Sequence, residues 1–175
     1  MRILLITNDW LPKKGGISTY LTNLVSSVDH EFTIYAPSWA EGDNVINSSS
    51  SFFLNSKDTI KEISDIIKNK NIDIILHGSS NPQFLLIGKL DQISNINSPK
   101  NIKIPQFMIC HGAEFNVLKY IPLLRSVLKR NLNKLNKIFT VSEFSKKKLQ
   151  DITETETINI GAGITIPSSQ KDFKI

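Results

Sequence analysis

The chain has 175 residues, of which 40% are hydrophobic and 21% are charged, and its formal net charge is +5. This length and composition are typical of one domain with a packed core, and they leave little room for a second domain. A single cysteine, Cys110, rules out an internal disulfide, and no apolar run approaches the length of a signal peptide or a membrane span, so the sequence predicts a cytoplasmic protein.

Short apolar runs alternate with segments of helical periodicity along the chain. The runs predicted as strands are 2–7, 31–37, 72–78, 104–110, 137–142 and 157–163. The segments predicted as helices are 16–28, 56–70, 82–94, 119–135 and 143–150. The Ser- and Asn-rich stretch 44–53 is predicted to be a surface loop. The alternation predicts a Rossmann-like, doubly wound α/β fold with a mostly parallel sheet, in which ligands bind at the carboxyl ends of the strands.

Two adjacent glycines, Gly15 and Gly16, join the first predicted strand to the first predicted helix. Backbone N–H groups at this turn can face an anion, assisted by the helix dipole, and Ser18 and Thr19 can add hydroxyl donors. The stretch lacks the G-x-G-x-x-G spacing of a dinucleotide fingerprint and the G-x-x-x-x-G-K-[ST] pattern of a P-loop, which disfavours NAD and ATP. These residues alone leave two explanations open, a phosphate-binding turn and a glycine turn with a purely structural cause.

Two histidines lie at the ends of neighbouring predicted strands. His111 directly follows one strand in FMICHGAEF, and His77 ends the strand before it. Because the carboxyl ends of parallel strands meet at one edge of a sheet, we expect both beside the turn at Gly15 and Gly16. His111 is therefore a candidate for ligand contact, against the alternative of a hydrogen-bonded structural histidine. His30, at the opposite edge, is expected to be a solvated surface residue.

A basic segment runs from Lys119 to Lys148. It contains nine Lys or Arg residues and one acid, Glu143, a local balance of 9 − 1 = +8. Apolar residues recur at helical spacing within it, at Ile121, Leu124, Leu128, Leu132 and Leu135. Four cations lie largely off that stripe, namely Arg125, Lys129, Arg130 and Lys134. This basic face is explained either by attraction to an anionic membrane surface or by ordinary solvation. Nucleic acid is disfavoured as a partner because no aromatic residues interleave with the charges beyond Tyr120, Phe139 and Phe144, in and beside strands.

Five segments, in this order and spacing, resemble the amino-terminal half of family 4 glycosyltransferases of the GT-B fold. They are TNDWLPKKGGISTYLTNLV, DIILHGSSNPQFLL, HGAEF, FTVSEFSKKKL and INIGAGITI. The phosphatidylinositol mannosyltransferase-like branch is the most similar. The resemblance implies that residues 1–160 form the acceptor-side Rossmann-like domain, that 161–175 begin the interdomain linker, and that the donor-binding domain is absent. The last segment departs from the family's usual Ile-Pro-Asn-Gly-Val-Asp, with Gly161, Ala162 and Thr165 where Pro, Asn and Asp are common.

Such enzymes move a sugar, with retention, from a nucleotide diphosphate sugar to a lipid-linked or glycan acceptor, so the nucleotide sugar is a substrate and no separate cofactor or metal is implied. The resemblance implies a catalytic role for His111 and substrate or phosphate contacts for Gly15, Gly16, Ser18, Asn81 and Glu114. It also implies that Ser142 caps a helix whose first turn holds Glu143. Because the basic residues that neutralise the leaving diphosphate belong to the donor domain, we expect the chain alone to be inactive and to need a donor-domain partner.

Two other hypotheses remain. The first is a degenerate, stand-alone module that binds an anionic lipid or a sugar phosphate without turnover. The second is a nucleotide-binding Rossmann protein of another class, which the absent fingerprint disfavours. Transferase activity that appears on mixing with a donor-domain chain favours the glycosyltransferase, whereas ligand binding without activity in any combination favours the binding module. In the glycosyltransferase and binding-module hypotheses, the protein is peripheral to the inner face of the cell membrane if the basic face contacts lipid.

Overall fold

The computed structural model describes residues 1–50, 57–97, 103–112 and 122–162, which form alternating strands and helices. The strands are β1 (Arg2–Ile6), β2 (Glu31–Ala36), β3 (Val45–Asn47), β4 (Ile74–His77), β5 (Gln106–Cys110), β6 (Lys137–Thr140) and β7 (Thr157–Asn159). The helices are α1 (Gly16–Ser27), α2 (Lys57–Lys70), α3 (Phe84–Asn97), α4 (Pro122–Leu132) and α5 (Glu143–Gln150).

All seven strands form one parallel sheet in the order β3-β2-β1-β4-β5-β6-β7. The predicted Rossmann-like α/β fold is thus confirmed. Strand order reverses between β1 and β4, since the chain first builds outward through β2 and β3 and then returns to the other side of β1. In open α/β sheets, ligands bind outside the carboxyl ends of the strands at such a reversal.

The direction of each crossover decides which face of the sheet a helix covers. Parallel strands are joined by right-handed crossovers, so connections that run in opposite directions along the sheet place their helices on opposite faces. The connection from β1 to β2 places α1 on one face, where Leu21 packs with Leu5, Ile34 and Ile109. The connections from β3 onward run the other way and place α2, α3, α4 and α5 on the second face.

Apolar contacts hold the four helices of the second face to the sheet. Ile63 and Ile67 of α2 are fully buried in the same cluster as Ile75 of β4. The predicted apolar stripe of α4 packs as expected, because Leu128 and Leu132 are fully buried. Leu135, just after α4, joins them, Leu124 is half-buried, and Ile121 lies outside the described residues.

The stretch 44–53 contains a strand, so its prediction as a surface loop is wrong for Val45–Asn47. Val45–Asn47 pairs with Ile34–Ala36 at the edge of the sheet. Val45 and Ile46 point to opposite faces and pack against the two different cores. Asn47 donates from Nδ2 to the carbonyls of Pro37 at 3.1 Å and Ala40 at 2.7 Å, which closes the preceding loop. Three residues are too few to show a period, and the polar residues around them conceal the strand.

Candidate functional site

A cavity of about 680 Å³ opens between α1 and the carboxyl ends of β5, β6 and β7. Its α1 wall is formed by Gly16, Ile17, Thr19, Tyr20, Asn23, Leu24 and Ser27. The opposite wall carries His111, Val141 and Ala162, which follow β5, β6 and β7 in turn. The cavity lies on the face of the sheet that α1 covers, and its volume is in the range typical of small-molecule sites.

The glycine turn opens this cavity at the amino end of α1. Gly15 is the N-cap, with φ −164° and ψ 170°, an extended conformation that any residue adopts. Neither Gly15 nor Gly16 has a positive φ. A Cβ added to Gly16 would meet no atom within 4 Å, and one added to Gly15 would only touch Ser18 Oγ at 3.9 Å. Neither backbone torsion nor packing within the described residues therefore requires glycine here.

The side chain of Ser18 forms hydrogen bonds with the backbone at the start of α1. Its Oγ accepts from the Gly15 N–H at 2.8 Å and donates to the Gly15 carbonyl at 3.0 Å, and the side chain is buried. Thr19 is exposed and lines the cavity. Of the two predicted hydroxyl donors, only Thr19 presents its side chain to the cavity, and Ser18 acts by closing the turn that shapes it.

His111 lies across the cavity from the glycine turn and is held from two directions. Its Nε2 is 3.0 Å from the carbonyl oxygen of Gly78, so Nε2–H is the donor. Tyr20 of α1 meets the imidazole edge-on, with ring centroids 5.3 Å apart and an interplanar angle of 81°. Burial raises the pKa of Tyr20, which keeps this phenol neutral. These contacts fix the plane of the imidazole and the proton on Nε2 while leaving the residue partly exposed.

His77 ends β4 at the carboxyl edge of the sheet, but contrary to expectation its side chain lies on the face opposite the glycine turn. It is fully buried on the face covered by α2 to α5, with Nε2 3.1 Å from Oε1 of Gln106, and its Nδ1 has no partner among the described residues. Burial lowers the pKa of His77 to about 4, so the ring is neutral at neutral pH. Side chains alternate between the two faces of the sheet along a strand, so His77 lies on the same face as Ile75, which packs against α2. His77 is a structural residue, and His30 is exposed as expected.

The far wall of the cavity is built where α5 begins and β7 ends. Ser142 caps α5 as predicted, accepting the Ser145 N–H at 3.2 Å, and Glu143 occupies the first turn. Asn159 donates from Nδ2 to Glu143 Oε1 at 2.8 Å and accepts the Gly161 N–H at 3.1 Å. Gly112, which follows His111, has φ +98°, and a side chain there would collide with Ser145 of α5. These contacts hold Gly112, and with it the neighbouring His111, close to the start of α5.

The remaining predicted site residues are more distant or outside the description. Asn81 is exposed in the loop after β4 but does not line the cavity. Glu114 lies outside the described residues. Tyr20 and Asn23, which sequence analysis did not select, line the cavity because they follow Gly16 by four and seven residues along α1. That helical spacing was visible in the sequence once Gly16 was placed at the first position of the helix.

The cavity lining contains no Lys, Arg, Asp or Glu among the described residues. His111 is the one titratable group of this described lining besides Tyr20. Lys13, just before the glycine turn, stacks 3.7 Å from the centroid of the Trp39 ring. The cavity thus offers hydrogen-bonding groups and an apolar wall, with no cation to neutralise a diphosphate.

The predicted basic face of α4 is partly neutralised. Lys129 Nζ is 3.2 Å from Glu154, and Lys134 Nζ is 3.7 Å from Asp91. Arg125 and Arg130 are exposed and form no ion pair within the described ranges. In the part of the chain that the structure describes, no helix combines the length and hydropathy required to cross a membrane.

Comparisons with known proteins find distant relatives in the family that the sequence motifs resemble. The chain is 27% identical over 164 residues to a GDP-mannose-dependent alpha-(1-6)-phosphatidylinositol monomannoside mannosyltransferase of Mycobacterium tuberculosis, and 24% identical over 159 residues to one of Mycolicibacterium smegmatis. These matches cover 84% and 83% of this chain but only 40% and 39% of the relatives. No family model matches the chain. Among solved structures, the oxidoreductase ylbE of Lactococcus lactis aligns with 14% identity and a TM-score of 0.34, covering 92% of this chain and 68% of that one.

The chain is therefore distantly similar to phosphatidylinositol mannosyltransferases of family 4, the resemblance that its motifs predict, and the GDP-mannose donor is known here only from the names of those relatives. It spans about two fifths of the length of these relatives.

Proposed function

We propose that this chain is the acceptor-side domain of a retaining glycosyltransferase that moves a sugar from a nucleotide diphosphate sugar to a lipid-linked acceptor. The distant relatives are named for a GDP-mannose donor and a phosphatidylinositol monomannoside acceptor, and this chain takes substrates of the same classes. The acceptor occupies the cavity between α1 and His111. The reaction site lies at its open end, beside Gly15 and Gly16.

The open space in front of Gly16 is the observation that carries this proposal. A glycine retained for a tight turn has a positive φ or a close neighbour, and Gly16 has neither. A side chain at Gly16 would extend into the open end of the cavity. Glycine there lets a ligand approach the first turn of α1, whose N–H groups and positive dipole end favour a phosphate or a developing negative charge.

His111 is the proposed catalytic residue. Its imidazole faces the same cavity as the glycine turn, and the Gly78 carbonyl and the Tyr20 ring hold it in one orientation. An imidazole fixed in this way can contact a hydroxyl of the transferred sugar, and holding it in place before substrate arrives lowers the entropic cost of reaching the transition state. Asn81, in the loop after β4, and Glu114, outside the described residues, remain proposed substrate contacts.

Charge neutralisation of the leaving diphosphate must come from outside this cavity. A departing nucleoside diphosphate requires cations or a metal, and the described lining supplies neither Lys nor Arg. We propose that a donor-binding domain provides these cations, on the same polypeptide or on a separate chain. The 175 residues alone are then inactive and bind a nucleotide sugar weakly.

A water-soluble acceptor headgroup tests the cavity directly. Deacylated phosphatidylinositol monomannoside is titrated into the ¹⁵N-labelled chain, and we expect amide shifts at Gly16, Thr19 and His111. Gly16→Val should weaken this binding at least tenfold without lowering the melting temperature, since its side chain enters open space. Ser26→Val, exposed on the same helix and outside the cavity lining, is the matched control and should retain binding. Full affinity in Gly16→Val would refute the proposed site.

A second candidate is a binding module without turnover. The cavity is formed entirely by this chain, so acceptor binding does not require a donor domain. Mixing the chain with the separately expressed carboxyl-terminal part of the mycobacterial relative, GDP-mannose and phosphatidylinositol monomannoside separates the two candidates. Mannose transfer that depends on His111 supports the transferase, and headgroup binding with no transfer in any combination supports the module.

The basic face of α4 is proposed to hold the protein at an anionic membrane surface. Arg125 and Arg130 are exposed and available for headgroups, whereas Lys129 and Lys134 must compete with Glu154 and Asp91. We expect the Arg125→Gln/Arg130→Gln variant to bind vesicles of phosphatidylglycerol more weakly than the Lys129→Gln/Lys134→Gln variant does. Each free cation near such a surface contributes on the order of 1 kcal/mol. Equal binding of both variants and the wild type would leave α4 as ordinary solvated surface.

A further inference from the structure

The loop between β4 and α3 buries polar side chains at the point where the strand order reverses. Ser79, Ser80 and Gln83 are all fully buried there. Buried polar groups are costly unless they are hydrogen-bonded, so three of them in one short loop require an explanation. These three side chains do not line the α1 cavity. Their role is therefore to hold backbone at this edge of the sheet.

The amide of Gln83 connects the loops that follow β1 and β4. Its Nε2 lies 3.2 Å from the carbonyl oxygen of Ser79 and 3.1 Å from that of Asn81. Its Oε1 lies 3.2 Å from the backbone nitrogen of Asn8 and 3.1 Å from Ser79 Oγ. In this orientation the amide nitrogen faces acceptors and the amide oxygen faces donors. One side chain thus joins two loops at the carboxyl edge of the sheet.

Gly78, at the start of the loop after β4, connects that loop to His111 and to α1. Its carbonyl oxygen accepts from His111 Nε2–H, and its own N–H donates to the Ile6 carbonyl at 2.8 Å. A Cβ on Gly78 would lie 2.8 Å from Leu21 Cδ1 and 3.1 Å from Thr7 Cβ, so a larger residue does not fit between α1 and β1. The carbonyl that holds the imidazole belongs to the planar peptide between residues 78 and 79, and it turns with that peptide.

We propose that Gln83 is a positioning residue for His111. The carbonyl and the hydroxyl of Ser79 both bond to the Gln83 amide, which fixes the residue that follows Gly78. With Ser79 fixed, the peptide before it keeps one orientation, and its carbonyl keeps the proton of His111 on Nε2. The contact of His111 with substrate rests on the proposed function, whereas its positioning by Gln83 does not.

The bond to Asn8 extends the constraint to the loop between β1 and α1. Thr7 Oγ1 accepts the Asp9 N–H at 3.0 Å and donates to the Asp9 carbonyl at 3.1 Å, so the residues on both sides of Asn8 are also tied together. This loop ends at the glycine turn. Because one amide holds both loops, the imidazole and the glycine turn keep their relative positions before a substrate arrives, which lowers the entropic cost of binding.

Two variants of the full chain without ligand test this role. Gln83→Met keeps the length of the side chain and removes every hydrogen bond of the amide. The control is Asn131→Leu, at another buried amide, whose Nδ2 donates to the Phe84 carbonyl at 2.9 Å between α3 and α4. Each substitution leaves buried backbone groups without their side-chain partner, so we expect both to lower the melting temperature by about 5 °C.

The readout is the ring Nε2–H signal of His111 in ¹H–¹⁵N spectra, which is visible only while a hydrogen bond slows exchange with water. We expect this signal in the wild type and in Asn131→Leu, and we expect Gln83→Met to lose it. The Nε2–H of His77, buried against Gln106, is the internal reference and should persist in all three proteins. Deacylated phosphatidylinositol monomannoside should bind about tenfold more weakly to Gln83→Met than to the control.

Three outcomes would overturn the inference. They are a His111 signal that persists in Gln83→Met, its equal loss in Asn131→Leu, and its absence from the wild type. If Gln83→Met does not fold, Ser79→Ala, which removes only the hydroxyl bond, is read in the same way. A wild type that shows the His111 signal and does not bind the headgroup would refute the proposed function, and the signal would still decide the role of Gln83.

Discussion

Protonation of His77 should destabilise the fold in mildly acidic solution. Burial holds the pKa of this histidine at about 4, compared with 6.5 in the unfolded chain. Between these values the unfolded chain binds the additional proton, so the free energy of unfolding falls as the pH falls from 6.5 toward 4 and is unaffected above 6.5. One pKa unit corresponds to about 1.4 kcal/mol, so lowering the pH from 7 to 5 should remove about 2 kcal/mol.

Urea denaturation of the wild type and of His77→Gln at pH 7 and pH 5 measures this term. The glutamine amide is neutral at both values and can still donate to Oε1 of Gln106, so the variant keeps the hydrogen bond and lacks the titration. We expect the wild type to lose about 2 kcal/mol more than His77→Gln over this interval. Identical pH slopes for the wild type and His77→Gln would refute the assignment of His77 as a buried neutral residue.

Three further substitutions test packing around the site. Gly112→Ala combines a φ of +98° with a collision against Ser145, so it should cost about 2 kcal/mol or more in thermal unfolding, whereas Gly161→Ala, with φ +73° and open space, should cost about 1 kcal/mol. Equal costs would contradict the close contact of Gly112. Leu128→Ala should cost about 2–5 kcal/mol in urea unfolding because the side chain is fully buried, and Leu124→Ala, half-buried on the same stripe, should cost less. Tyr20→Leu should shift the His111 ring resonances in NMR spectra, and unchanged resonances would contradict the edge-on contact.

The parts of the fold that sequence analysis predicted are those with a strong local signal. Buried strands such as Leu4–Ile6 are continuous apolar runs, and the four longer helices show their period over about three turns or more. β3 has three residues and was predicted as loop, because pairing with β2 creates that strand and no local pattern encodes it. The Ser142 cap was expected from the family resemblance, and the structure confirms it, since the Ser142 hydroxyl accepts the first-turn N–H of Ser145.

The charges of α2 show why composition alone hides a surface. Along this helix Lys57, Lys61, Lys68 and Lys70 are matched by Asp58, Glu62 and Asp65, so a segment count finds little net charge. In the folded chain Glu62 is drawn to Tyr35 while three of the lysines face α3. The potential near a surface depends on which side chains share it, and that information comes from the packing of helices.

The candidate site required a second kind of information, the face of the sheet. A position at the end of a strand predicts the edge on which a residue lies, and on that basis His77 and His111 were equivalent. Side chains alternate between faces along β4, which places His77 under α2 to α5, whereas His111 follows the last residue of β5 and turns toward α1. The identity of the α1 face follows in turn from right-handed crossovers and from the reversal of strand order at β1. Since strand order is set by long-range pairing, the sequence motifs identify the residues of the site, and the topology decides which of them can meet.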